Sequence, residues 1–283
     1  MERFQINLFI GTDVNLPIDD MPTNDLTPPQ PAQRAPDLRT LLDSHARLQA
    51  GFYISGCDTA PDGGHWLWSR HIAEFGLNVG IGVRDGAWLR AQAERRGRAA
   101  VALAADMVQA RDLCVALNAA PVAAMAWMWR PLTPADAGAA EADIAVSDRP
   151  APDEDFLGVM ARQSANPAVN AATMEGYGPA LREAEGRPGI HVRHLTLWAG
   201  GEPVACASIH AEAGLAGLYN VAVAAPHQRR GLGRRITMRA IHEAAGLGCT
   251  GLLLQCVPGG HVERLYAALG FSRVARPLLL ALR

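Results

Sequence analysis

The chain has 283 residues, of which 49% are apolar and 19% charged, with a formal net charge of −2. That is the balance of a globular protein long enough for two domains of ordinary size, and it argues against a polyanion-binding surface spread over the whole molecule. Lysine is absent and alanine abundant, which is read as a coding bias towards GC-rich codons. Cys57, Cys114, Cys206, Cys249 and Cys256 are scattered without a Cys-x-x-Cys pair, so neither a disulfide framework nor a zinc site is expected and a cytoplasmic location fits. The first residues carry an acid and polar groups where a signal peptide needs an apolar core. The longest apolar run, Ala119 to Trp129, contains Pro121 and is too short for a bilayer, so no membrane contact is expected.

Phe4, Ile6, Leu8 and Ile10 alternate with Gln5 and Asn7 and predict a short leading strand. Repeated prolines between Pro17 and Pro36 predict an extended linker or surface loop. Asp37 is placed to cap a helix running to Leu48, with Leu38, Leu41, Leu42, His45 and Leu48 at helical spacing. Strands are expected at Gly51–Ser55, Trp66–Ile72 and Leu77–Val83, with a turn over Asp58–Gly64. A helix over Asp85–Arg98, a strand over Ala99–Ala104, a helix over Val108–Asn118 and one strand from Pro121 to Trp129 complete the first half.

The stretch from Pro131 to Ala142 is rich in Ala, Pro and Gly and holds the expected boundary between units spanning 1–135 and 142–283. The second unit opens with a strand over Ala142–Ser147. Helices follow at Asp153–Ser164 and Ala168–Glu185, the latter interrupted at Gly176 and Gly178. Strands at His191–Ala199 and Pro203–Glu212 join through Gly200-Gly201, and Gly217–Ala224 forms a central strand. A helix starting near Leu232, a strand over Thr250–Cys256 and a short helix ending in Leu265-Tyr-Ala-Ala-Leu-Gly-Phe271 close the pattern. Spacing alone gives an α+β protein with a mixed sheet.

The segment from Leu218 to Arg235 runs from an apolar strand through a turn into a helix that opens with glycines. Its turn, Gln228-Arg-Arg-Gly-Leu-Gly233, can aim consecutive backbone N–H groups at one point, and the helix adds the positive end of its dipole. A phosphate or pyrophosphate is the natural occupant, with Arg229, Arg230, Arg234 and Arg235 supplying charge around the rim. Neither Gly-x-x-x-x-Gly-Lys nor Gly-x-Gly-x-x-Gly is present. The spacing Gln-x-x-Gly-x-Gly after Val-Ala-Val, followed by helix, strand, short helix and the Leu265–Phe271 block, resembles the acyl-CoA loop of the GNAT superfamily of N-acetyltransferases. The resemblance covers roughly Ala142 to Arg283. It implies the GNAT fold, a mixed and mostly antiparallel sheet flanked by helices. The chain departs from the family before the loop, where Ala225 holds a slot usually filled by proline and Pro226 follows it.

The first half shows strands, helix, strand, helix and strand in the same order. It is therefore either a second, degenerate GNAT-like unit, which would make the protein a tandem, or an unrelated α/β domain. At the corresponding place it reads Gly82-Val-Arg-Asp-Gly-Ala-Trp88, and Asp85 with bulky Trp88 suits a pyrophosphate poorly. A twin sheet would shape the acceptor cleft with residues such as Trp66, Trp68 or His71.

The resemblance implies that backbone groups of Asn220, Val221 and Val223 meet the pantetheine arm and the thioester oxygen, a matter of positioning and oxyanion donation. It assigns the pyrophosphate to Gln228, Arg229, Arg230, Gly231, Leu232, Gly233 and Arg234, with acetyl-CoA as acyl donor and no metal. Tyr266 matches the tyrosine that many members use to protonate the leaving thiolate, although Val262, Leu265 and Leu269 share its helix face and a core role is open. No carboxylate lies in Gly217–Ala224, so the base is sought in His210 or Glu212 at the end of the preceding strand. His191 and His194 point to opposite faces and suggest no shared metal. The expected activity is acyl transfer to a primary amine of a small molecule, by a monomer or homodimer. The competing expectations are a non-catalytic acyl-CoA sensor and an arginine-rich nucleic-acid contact, the last disfavoured by the acidic net charge.

Overall fold

A computed structural model describes residues 35–139 and 141–283. The leading strand expected at Phe4–Ile10 and nearly all of the proline-rich stretch lie outside these residues. Helix α1 (Leu38–Gln49) starts where Asp37 accepts the Thr40 N–H at 2.8 Å. At its end the Gln49 carbonyl accepts N–H groups from Phe52, Tyr53 and Ile54. Those donors are lost to any ladder, so Gly51–Ser55 is a tight turn with one Ala50–Ile54 bridge and not the expected strand.

The hairpin β1 (Gly56–Thr59) and β2 (His65–Trp68) narrows the expected turn to residues 60–64. There follow β3 (Val79–Ile81), α2 (Gly86–Arg95), β4 (Val101–Ala104), α3 (Met107–Ala116), β5 (Ala119–Ala124) and β6 (Ala126–Pro131). Then come β7 (Ile144–Ser147), α4 (Glu154–Met160), α5 (Pro167–Arg182), β8 (His191–Ala199), β9 (Glu202–Glu212) and β10 (Leu215–Val223). The chain ends through α6 (Leu232–Gly246), β11 (Gly251–Cys256), α7 (His261–Ala267), β12 (Ser272–Ala275) and β13 (Leu278–Leu282).

These strands make two sheets, in the orders β1-β2-β3-β4-β13-β5 and β12-β6-β11-β10-β9-β8-β7. The β3–β4 and β10–β11 pairs are parallel and all other pairs antiparallel. Laid side by side, β1-β2-β3-β4 matches β8-β9-β10-β11, and β5 matches β12. Between the matched strands each sheet takes one strand from the far half of the sequence, β13 in the first and β6 in the second. The fold is thus α+β, two mostly antiparallel sheets flanked by helices, repeated in topology and laced by a reciprocal strand exchange.

The exchange corrects the single strand expected from Pro121 to Trp129. The chain breaks at Met125, whose N–H donates to the Pro277 carbonyl at 3.1 Å, and passes from one sheet to the other. Ala126, Trp127, Met128 and Trp129 are all buried, so β6 needs cover on both faces, as an interior strand has. Helix α5 also runs without the break expected at its glycines. A Cβ on Gly176 would come within 3.3 Å of the His71 carbonyl and the Ile72 Cα, so this glycine serves a close approach. One core lies between α1, α4, α5 and both sheets, a second under α6 and α7, and a third under α2 and α3.

Candidate acyl-transfer site

Strands β10 and β11 pair only from Leu215–Gly217 to Gly251–Leu253 and then part, while β11 stays paired with β6 over its whole length. On its other side β10 slips register against β9 between Tyr219 and Ala222, and Asn220 takes a φ of 55°. Such a bulge bends and twists a strand locally, which carries the end of β10 away from β11. Side chains lock the bulge. Asn220 Oδ1 accepts from the Tyr53 hydroxyl, and Asn220 Nδ2 donates to Ser208 Oγ at 3.0 Å. His194 Nε2 donates to the Pro150 carbonyl at 2.9 Å, which leaves Nδ1 to accept from Ser208 at 2.8 Å. Val221 and Val223 pack their side chains into the second core, so only their backbones face the gap.

Beyond β10 the chain turns through Ala225–His227 into the glycine segment. Gln228 points inward: its Nε2 donates to the Gln163 carbonyl at 2.7 Å and the Val223 carbonyl at 3.1 Å. With the bond from Ala225 N–H to the Arg162 carbonyl, 2.8 Å, this clamps the turn to the segment after α4. Arg229 has a φ of 60° and Gly231 a φ of 81°; at Gly231 glycine spares the cost of a side chain in that region. No side chain caps α6, and the backbone N–H groups from Arg229 to Arg234 find no acceptor among the described residues. A row of unsatisfied donors at a helix N-terminus is an anion seat.

Arg229, Arg230 and Arg234 are exposed and form no ion pair among the described residues. Arg235 differs from expectation, because it reaches Glu141 at 2.7 Å and Asp143 at 2.5 Å. Its charge is spent on the approach to β7 instead of the rim. Across the gap, Tyr266 on α7 is 5% exposed and sits edge-on to Phe271 at 5.7 Å. Its hydroxyl makes no hydrogen bond among the described residues, and burial pushes its pKa well above the phenol range.

The two base candidates are committed elsewhere. His210 is fully buried, stacked on Phe52 at 4.1 Å, and its Nδ1 donates to the Leu48 carbonyl at 3.0 Å. Burial, with smaller repulsion from His194, pushes its pKa down to about 3. Glu212 accepts from Arg47 at 3.2 Å near the surface. Among the described residues no group of His, Cys, Asp and Glu could hold a metal ion, and no helix is long and apolar enough to cross a membrane.

Residues 163–271 match the model of the acetyltransferase (GNAT) family. The match places a GNAT domain at those residues. A GCN5-related N-acetyltransferase from Kribbella flavida is similar in structure, with a TM-score of 0.58 at 18% identity over 87% of this chain and 96% of that one. A functionally unknown conserved protein from Staphylococcus epidermidis gives 0.56 at 12% identity, covering 81% and 94%. A tandem GNAT protein from the clavulanic acid biosynthesis pathway gives 0.52 at 14%, covering 82% and 85%. At these identities the likeness is one of fold. No curated protein matches in sequence.

In the first half, the turn between β3 and α2 holds the place in its sheet that the turn between β10 and α6 holds in the second. There the Asp62 carboxylate accepts N–H groups from Gly64 at 3.0 Å, Arg84 at 2.6 Å and Asp85 at 2.9 Å. Asp85 in turn caps α2 through the Trp88 N–H at 2.9 Å. The donors that a phosphate would need already have anions of their own. Trp66 and Trp68 lie under the Arg96 guanidinium, 5.1 and 4.4 Å from it, and Arg96 pairs with Asp58 at 2.7 Å. His71 pairs with Glu183 at 2.9 Å beside α5. Sequence reasoning missed Tyr53, Glu74 and Tyr177, which meet beside the bulge. No spacing pattern marks them, because three separate segments bring them together.

Proposed function

We propose that this protein is an acyl-CoA-dependent N-acyltransferase, with acetyl-CoA as donor and a primary amine of a small molecule as acceptor. The observation that carries the proposal is the row of unsatisfied N–H groups from Arg229 to Arg234, which follows the end of β10, the strand that parts from β11. Those groups with Arg229, Arg230 and Arg234 suit a pyrophosphate. Gly231, Leu232 and Gly233 contribute backbone, and Gln228 contributes the clamp that holds the turn. The backbones of Asn220, Val221 and Val223 line the parted strand, where a thioester can be positioned and its carbonyl oxygen stabilised. Attack by the amine nitrogen forms the C–N bond and breaks the C–S bond, and the departing thiolate needs a proton. Tyr266 is the proposed donor; its free hydroxyl fits that role, and neither His210 nor Glu212 is free to act as the base. We further propose that the units over 1–135 and 142–283 are an eroded and an intact GNAT unit that exchange their last strands.

Purified protein mixed with acetyl-CoA and a panel of primary amines is expected to release free thiol. Tyr266→Phe is expected to lower turnover by about 100-fold with thermal stability unchanged, since no hydrogen bond is lost. The absence of a carboxylate on β10 favours a second reading, a non-catalytic acyl-CoA sensor. Tight CoA binding without thiol release for any amine would establish that reading instead.

A further inference from the structure

The bulge is linked, through two tyrosines, to a carboxyl group from the first half, of a kind that β10 itself lacks. Glu74 lies just ahead of β3, beside α5, and is partly buried. Its Oε2 accepts a 2.9 Å hydrogen bond from the Tyr177 hydroxyl on α5. The Tyr177 ring meets the Tyr53 ring edge-on, with centroids 5.2 Å apart, and the Tyr53 hydroxyl donates to Asn220 in the bulge itself. The close approach of Gly176 to His71 and Ile72 fixes the distance between this segment and α5. One carboxyl group, two tyrosines and the bulged strand therefore converge, and both sides of the molecule are needed to make the cluster.

We infer that Glu74 is the proton acceptor for the incoming amine: its carboxylate receives the ammonium of the acceptor beside α5 and takes one proton from it. This inference rests on the N-acyltransferase reading. The step balances: R-NH3⁺ and the Glu74 carboxylate become R-NH2 and the carboxylic acid. The freed lone pair then attacks the thioester carbonyl; as the C–S bond breaks Tyr266 protonates the thiolate, and the second nitrogen proton replaces the one that Tyr266 has given up. The surroundings of Glu74 suit the role. Burial in a largely apolar surround, opposed only by the Tyr177 hydrogen bond, pushes the Glu74 pKa up to about 8, which places it near the operating range of a general base. The Tyr177 and Tyr53 hydroxyls facing it are themselves pushed well above the phenol range by burial, so they stay neutral. On the segment before it, His71 is engaged by Glu183.

The test compares wild type, Glu74→Gln and Glu74→Asp as full chains, with thiol release from acetyl-CoA as readout. The acceptors are propylamine and benzylamine, protonated at neutral pH, and trifluoroethylamine, which is largely neutral there. The expected result is a loss of 100-fold or more in kcat/KM for the protonated amines in Glu74→Gln, little change for trifluoroethylamine, and partial recovery in Glu74→Asp. The rising limb near 8 should appear in the wild-type pH profile with propylamine and benzylamine, be absent with trifluoroethylamine, and disappear for the protonated amines in Glu74→Gln. An equal loss for all amines, or no loss, overturns the role of Glu74 and leaves the acyltransferase reading intact. No thiol release by wild type with any of the three overturns both. Should Glu74→Gln fold poorly, Tyr177→Phe serves instead: it is expected to shift the pH limb upward, since the hydrogen bond lost lowers the Glu74 pKa, and an unmoved limb overturns the inference.

Discussion

Two turns occupy the same place in two sheets of matched strand order, and they differ in who supplies the anion. Between β3 and α2, the Asp62 and Asp85 carboxylates fill the donors of the turn. Between β10 and α6, the donors from Arg229 to Arg234 are left open and exposed arginines surround them. The backbone geometry of an anion seat thus survives in both halves, and the Asp62 and Asp85 carboxylates decide that the first is a structural turn rather than a binding turn. The helix α3, which corresponds to α7, carries no tyrosine, so the first half lacks the proposed acid as well as the open seat.

The sharpest way to break the comparison is to stop the two halves from sharing strands. Ending the chain at Pro277 removes β13 from the interior of the first sheet, between β4 and β5. Leu278, Leu279 and Leu280 are 5%, 0% and 0% exposed, and their burial contributes roughly 5–9 kcal/mol together, comparable with the whole stability of a typical domain. The truncated chain is expected to be insoluble or unfolded by circular dichroism. Residues 142–283 expressed alone are expected to fail for the mirror reason, since β6 is then missing from the middle of the second sheet. A folded, CoA-binding product from either truncation would show that the exchange is dispensable.

This exchange also marks where the sequence stopped being legible. The α1 cap at Asp37, the glycine turn, the central strand and the helices follow from local patterns and stand within a few residues of expectation, whereas the strand expected at Gly51–Ser55 is a turn and Pro121–Trp129 is two strands. Pairing partners are not local. Nothing in Pro121–Trp129 says that Met125 is a crossing point, because the reason is the Pro277 carbonyl about 150 positions away. The same holds for the site: the open N–H row was readable from glycine spacing. The inward turn of Gln228, the capture of Arg235 by Glu141 and Asp143, and the sealing of His210 under Leu48 and Phe52 each depend on a partner from another segment.

A smaller effect sharpens the comparison from the binding side. Replacing Arg229, Arg230 and Arg234 with alanine removes the charge that distinguishes the open turn, while the N–H row remains. Solvent-exposed charge contacts are each worth up to about 1 kcal/mol, so CoA affinity by calorimetry should fall roughly 10-fold to 100-fold. The salt dependence of binding should flatten with it. Thermal stability should be unchanged, because these arginines pair with nothing among the described residues. An unaltered affinity would mean that the anion sits elsewhere.

The smallest effect probes the filled turn. Asp62→Ala leaves the N–H groups of Gly64, Arg84 and Asp85 to solvent, and the loss is expected to resemble that of a helix cap, about 1 kcal/mol. Those bonds hold the Asp62 carboxyl below the usual carboxylate range. A carboxylate with a lowered folded-state pKa contributes its stability above the unfolded pKa and loses it as pH falls through the folded one. The wild-type advantage over Asp62→Ala should therefore be constant near neutral pH and vanish in acid. Adding phosphate should restore part of the lost stability in Asp62→Ala and none in wild type, because only the variant presents unsatisfied donors at that turn. If phosphate stabilises both proteins equally, the first turn is not a seat with its anion built in, and the correspondence between the two halves is one of strand order alone.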